Sequence, residues 1–120
     1  PNVFTTGHIP YAELPRYLAN CTVGIIPFRT DSDYLRYSAP IKVYEYLSAG
    51  RPVVATPIPE LLPLADKGII RVVDNDDLEG WIEAISYAIS DFPDNRAKKY
   101  ASDQTWEKRW KTFKKECLES

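Results

Sequence analysis

Histidine and cysteine are scarce in this chain, and methionine is missing altogether. The 120 residues hold one histidine, His8, and two cysteines, Cys21 and Cys117. One histidine and two distant cysteines give neither a zinc-ligand set nor a disulfide framework. Both cysteines are expected to be reduced and partly buried, as in a cytosolic protein. Charge of one sign is also missing, since 15 basic and 17 acidic side chains leave a net charge of −2. A nucleic-acid binder carries a basic field, so no nucleic-acid partner is expected. Long apolar runs are absent too. The longest are strand-sized, such as VGIIPF, far below the roughly 20 residues of a membrane span. The opening PNVFTTG shows no signal-peptide pattern.

What is present is an ordinary globular balance, 44% apolar and 27% charged, in a length that fits one domain at most. Val3 to Thr6 reads as a short strand ending at Gly7. Pro10 introduces a helix whose face is Leu14, Tyr17, Leu18 and Cys21, with Pro15 early enough to be tolerated. Thr22 to Phe28 is apolar almost throughout, as in a strand buried on both faces of a parallel sheet. A polar loop runs from Arg29 to Ala39. Pro40 then opens a helix that ends near Ser48, with Gly50 as its stop.

RPVVAT is the next apolar strand. Pro59 starts another helix, Gly68 stops it, and GIIRVVD is a further strand. Asp76 or Asp77 caps a longer helix with Leu78, Ile82, Ile85, Ile89 and Phe92 along one stripe, broken by Pro93 and Asp94. A helix near Asn95 to Ala101 follows, then a last one from about Thr105, with Trp106, Trp110, Phe113 and Cys117 on one side. That aromatic stripe is expected to pack on the parent domain. Strict alternation of strand and helix with short links predicts an α/β doubly wound fold: a parallel sheet flanked by helices. Four strands are few for a complete domain of this class. The chain therefore reads as the later part of a larger Rossmann-like unit, with a core at 1–92 and a helical tail at 93–120.

In open α/β sheets, ligands bind beyond the carboxyl ends of the strands. Three connections lie on that rim: Gly7 to Tyr11, Arg29 to Pro40, and Thr56 to Glu60. The second is long enough to suggest function. The helix after it points its amino end at the rim, with free N–H groups at about Ile41 to Val43 that favour an anion such as phosphate. Lys42 is a cation in the first turn, the wrong sign for helix stability, unless a bound phosphate compensates. A loose pair with Asp33 or Glu45 is the alternative. Glu45 sits among Tyr44, Tyr46 and Leu47, where a carboxylate needs partners. A sugar diol offers two donors. A half-exposed pair with Lys42 or Arg51 is equally open.

GHIPYAELPRYLANCTVGIIPF followed by PIKVYEYLSAGRPVVATPIPEL resembles the C-terminal, nucleotide-sugar-binding domain of GT-B fold glycosyltransferases of the retaining, family 4-like group. The resemblance spans roughly residues 2 to 92. It implies that Glu45 matches the second acid of the family's paired-glutamate motif, which holds the ribose hydroxyls. Ser38, Ala39, Ile41 and Lys42 match the segment against the donor's diphosphate and sugar. His8 and Ile9 match the loop that meets the nucleobase, largely through main-chain groups. The first glutamate of the pair falls eight residues before Glu45, where this chain has Tyr37. No catalytic residue is therefore assigned. Tyr37 offers a hydroxyl in place of the acid, or Asp31 or Asp33 reaches in from the loop.

The resemblance implies transfer of a sugar from a nucleoside diphosphate sugar to an acceptor hydroxyl with retention, in bacterial polysaccharide or glycan synthesis. It implies no cofactor and no metal. The acceptor, sugar or lipid-linked, and any peripheral membrane contact would come through an N-terminal domain that these residues do not include. A cytoplasmic place, at the inner face of the membrane in the full protein, follows from that reading. Rival readings are a GT-B nucleotide-sugar 2-epimerase and a non-catalytic nucleotide-binding or interaction module.

Overall fold

The structure is a computed structural model that describes residues 2–91 and 95–119. Its sheet has three parallel strands, β1 (Gly24–Ile26), β2 (Val53–Ala55) and β3 (Arg71–Val72), in the order β1-β2-β3. Gly24 pairs with Val53 and Ile26 with Ala55, while Val54 and Ala55 pair with Arg71 and Val72. Helices α1 (Leu14–Ala19), α2 (Ile41–Ser48), α3 (Leu62–Asp66), α4 (Leu78–Ser90), α5 (Asn95–Ser102) and α6 (Trp106–Phe113) surround or follow it. This is the expected α/β class with a parallel sheet between helices.

Successive residues of a strand point to opposite faces, and β2 shows how the layers form. Val53 and Ala55 pack with Val43 and Leu47 of α2, Leu64 of α3, and Ala97 and Ala101 of α5. Val54 faces the other way, onto Ala84 and Ala88 of α4, with Trp81 and Ile85 beside them. All three β2 residues are buried. Each large aliphatic side chain in such a core contributes about 1.5–3 kcal/mol by leaving water.

Turn chemistry sets the ends of α2 and α3. Gly50 has φ 70° and Gly68 has φ 68°, the left-handed region that glycine enters without strain. After α2, Gly50 N–H donates to the Leu47 carbonyl at 2.9 Å and Arg51 N–H to the Tyr46 carbonyl at 3.0 Å. After α3, Gly68 and Ile69 repeat the pattern onto Ala65 and Leu64. Both are Schellman closures, and each sends the chain straight into the next strand. Asp77 is the cap of α4, its Oδ1 accepting from Gly80 N–H at 2.8 Å. Thr105 caps α6 through Lys108 N–H.

Four expectations are corrected. Val3 to Thr6 forms no strand. Residues 2–10 pair with none of the three strands, and a strand cannot persist without a ladder partner. Thr22 to Phe28 is not a strand buried on both faces. Only Gly24–Ile26 pairs, and Ile25 stays 44% exposed because β1 is an edge whose α4-side face is left open. Among the described residues of the expected stripe on α4, only Ile85 packs on the sheet-side cluster. Leu78, Ile82 and Ile89 are exposed, and the small Ala84 and Ala88 meet the sheet instead; Phe92, Pro93 and Asp94 lie outside the described residues. Trp106, Trp110 and Phe113 do not pack on the domain either. They face solvent, with Trp110 and Phe113 stacked at 5.7 Å between ring centroids.

Gly24 marks a close approach of sheet and helix. A Cβ there would lie 2.5 Å from Cγ of Tyr46 on α2. The overlap falls on the root of a half-buried ring rather than on a mobile tip. Gly24→Ala is expected to destabilise the fold by about 1–3 kcal/mol, read as a lowered denaturation midpoint. An unchanged midpoint would mean that α2 is not held against β1 at this distance.

Candidate functional site

The carboxyl edge of the sheet is built by three connections: Pro27 to Pro40 after β1, Thr56 to Ile58 after β2, and Val73 to Asp77 after β3. The first contains a short 3-10 turn, Asp33–Tyr37, and passes through Ser38 and Ala39 into α2. Leu35 leans on the main core, and Pro40 is buried. These two contacts fix the middle and the end of the loop. Between them, Tyr37 is 90% exposed.

Pro40 precedes α2 with an extended backbone and offers no side-chain cap. Val43 N–H donates to the Pro40 carbonyl at 3.2 Å, so the free donors are fewer than the sequence suggested. Ile41 and Lys42 N–H have no acceptor among the described residues. Lys42 is exposed, and neither it nor Glu45 forms an ion pair among the described residues. The Arg29 and Arg36 side chains on the loop are engaged instead, with Asp31 at 2.6 Å and Asp33 at 3.7 Å. The hydrogen bond from Arg29 holds the Asp31 carboxyl below its usual range. A depressed carboxylate keeps its pairing above its ordinary titration range and loses it as pH falls through the lowered value, so the pair persists at neutral pH.

Glu45 is half-buried, one turn beyond Ile41 and about 6 Å along the axis at 1.5 Å per residue. It lies three residues from Lys42, so the two share one side of α2. Glu45 lines a cavity of about 500 Å³ between α1 and α2, with Tyr11, Leu14 and Leu18 on one wall, Tyr44 and Ser48 on another, and Lys98 of α5 at its margin. Burial pushes the neighbouring Tyr46 hydroxyl up, and the electrostatic influence of Cys21 and Glu45 adds to that effect. His8 is exposed and Ile9 half-buried in the extended segment that leads to Tyr11. The structure thus brings Tyr37, Ser38, Ala39, Ile41 and Lys42 to one loop–helix junction. Glu45 stands one turn inside it. His8 and Ile9 do not line the Glu45 cavity, although Tyr11, just beyond them, does.

Two features of this edge were not singled out in the sequence. Thr56, at the end of β2, is fully buried, and its Oγ1 has no hydrogen-bond partner among the described residues. Asn75, in the turn after β3, joins the loop after β1. Together with Arg29, Thr30, Asp31 and Asp76 it lines a second cavity of about 430 Å³. A polar residue between a strand end and a helix cap was its only signal. No group of three or more His, Cys, Asp or Glu side chains among the described residues is placed to hold a metal ion.

The family model for group 1 glycosyl transferases matches residues 1–91. The chain belongs to that family. A Bacillus subtilis (strain 168) protein, TuaH, named as a candidate teichuronic acid biosynthesis glycosyltransferase, is 30% identical over 110 residues. The alignment takes in 88% of this chain but 28% of that relative, so this group 1 chain spans little more than a quarter of the relative's length. No solved structure matches the chain. The family match runs through β1, the rim loop, α2, β2, β3 and α4, so every candidate residue named above lies inside it. The tail, α5 and α6, lies beyond it.

Proposed function

We propose that this chain is the donor-binding part of a glycosyltransferase that moves a sugar from a nucleoside diphosphate sugar to an acceptor hydroxyl, with retention, in the synthesis of a cell-surface polysaccharide. The core at 1–92 is the donor-binding unit, the tail at 93–120 an appendage, and the acceptor is bound by a separate N-terminal domain. Membership of the group 1 family supports the transferase class. The name of the Bacillus relative supports the polysaccharide. The observation that carries the reading is α2 itself: among the described residues, two N–H groups and Lys42 at its amino end have no partner, nor has Glu45 one turn inside, beside an open cavity.

The chemistry follows from those groups. The leaving diphosphate gathers charge as the glycosidic bond breaks. Ile41 and Lys42 N–H, the helix dipole and the Lys42 ammonium are fixed donors for that charge. Glu45 accepts from both hydroxyls of the ribose, which explains a carboxylate with no cation partner among the described residues. Tyr37 and Ser38 lie where the transferred sugar would rest, and His8 and Ile9 meet the base through the backbone. Positioning is the chain's main contribution to rate. The reaction needs no cofactor and no metal in this reading. The full protein works in the cytoplasm, at the inner face of the membrane. No helix among the described residues is long and apolar enough to cross one.

Two measurements test this. Titration of the full-length protein with uridine and guanosine diphosphate sugars is expected to find one that binds, and Glu45→Ala to weaken it at least tenfold, about 1.4 kcal/mol for the loss of charge-assisted hydrogen bonds. Equal affinity in the variant would remove the ribose assignment, and epimerised rather than transferred sugar would change the reaction class. The isolated 120-residue chain is expected to transfer no sugar, because in this reading the acceptor is bound by a separate domain. Measurable turnover by it would contradict the division of labour proposed here.

A further inference from the structure

Asn75 makes three side-chain hydrogen bonds, all to the chain just after β1. Its Nδ2 donates to the Phe28 carbonyl at 2.7 Å. Its Oδ1 accepts from Thr30 N–H at 3.1 Å and from Thr30 Oγ1 at 2.9 Å. One donor and both oxygen lone pairs of the amide are used. The orientation is determined by its partners, because a flipped amide would set NH2 against Thr30 N–H and oxygen against the Phe28 carbonyl. β3 and β1 are the outer strands, with β2 between them, so this side chain bridges the carboxyl edge of the sheet.

The turn around Asn75 does not need that side chain for its own shape. Asp77 supplies the cap of α4, and Trp81 Nε1 donates to the Asp74 carbonyl at 3.0 Å. Phe28 packs on the main core at the start of the rim loop, and beyond it the Asn75 bonds are what tie Thr30 to the sheet edge. Leu35 holds the middle of that loop and Pro40 its end, whereas Arg29, Thr30 and Asp31 are exposed and touch no core. We infer that Asn75 is a positioning residue: it sets the direction in which Arg29 to Ala39 leaves the sheet, and through it the placement of Tyr37 to Lys42 against the donor. The inference rests on the donor-binding reading of α2 and adds a residue that acts on the site from 30 positions beyond Glu45.

The test uses the full-length protein with Asn75→Ala, read by amide hydrogen exchange, by titration with the nucleoside diphosphate sugar that the wild type binds, and by transfer kinetics. Exchange across residues 29–39 is expected to rise on the order of tenfold, with β2 amides unchanged. Donor Kd is expected to weaken by about tenfold, with the acceptor KM unchanged. General destabilisation would instead lower the active fraction and leave Kd alone. Thr30→Val removes one arm of the clasp and is expected to show the same pattern at about threefold, which keeps the test open if Asn75→Ala does not fold. Unchanged exchange in 29–39 would overturn the clasp. Raised exchange with unchanged Kd would overturn the positioning role. A wild type that binds no nucleoside diphosphate sugar, with exchange still raised in the variant, would instead overturn the donor reading and leave the clasp standing.

Discussion

Everything at the candidate site depends on how α2 is pinned to the middle strand. Val43 and Leu47, one helical turn apart, are both at 0% exposure, against Val53 and Ala55 of β2. That contact leaves the helix little freedom to slide or rotate. It fixes the amino end of α2 at the carboxyl edge of the sheet, and it turns Lys42 and Glu45 away from the core. Gly24 lets Tyr46 close on β1 from the same helix, and the Gly50 turn feeds directly into β2. A group 1 glycosyl transferase chain therefore presents polar groups at one edge because apolar groups one residue away are immobilised.

The loop ahead of α2 is held more lightly and by longer-range means. Its charged side chains pair with one another on the surface, and such exposed pairs stabilise little. Phe28, Leu35, Pro40 and the Asn75 amide hold it at four points, one of them polar. A loop of this kind can adjust to a ligand over part of its length while its two ends stay registered with the sheet. That division suits the donor-contacting role proposed for this segment.

The middle of the fold was legible in the sequence. Pro40, the apolar spacing of Val43 and Leu47, Gly50, and the run VVA specify helix, turn and buried strand locally, and the structure agrees. The errors share a cause. On α4, two stripes satisfy the helical period, one large and one small. The sheet buries Ala84 and Ala88, which allow close approach, with Trp81 and Ile85 flanking them, and no periodicity argument separates the two faces. Val3 to Thr6 read as strand and Ile25 as buried strand, yet pairing and burial both require a neighbour that sequence pattern does not name. The site divides in the same way. Lys42 and Glu45 stand out because a cation in a first turn and an acid among aromatics break local rules. Asn75 breaks none, and its role exists only through contacts 45 and 47 positions away.

The central claim is that the amino end of α2, with Glu45 behind it, contacts a nucleoside diphosphate. The most direct measurement is an amide-exchange footprint of the full-length protein with and without uridine or guanosine diphosphate. The account predicts slowed exchange at Ala39 to Glu45, strongest at Ile41 and Lys42, whose N–H groups have no acceptor among the described residues without the ligand. Protection confined to other parts of the chain, with Ala39 to Glu45 unchanged by a bound nucleotide, would contradict it.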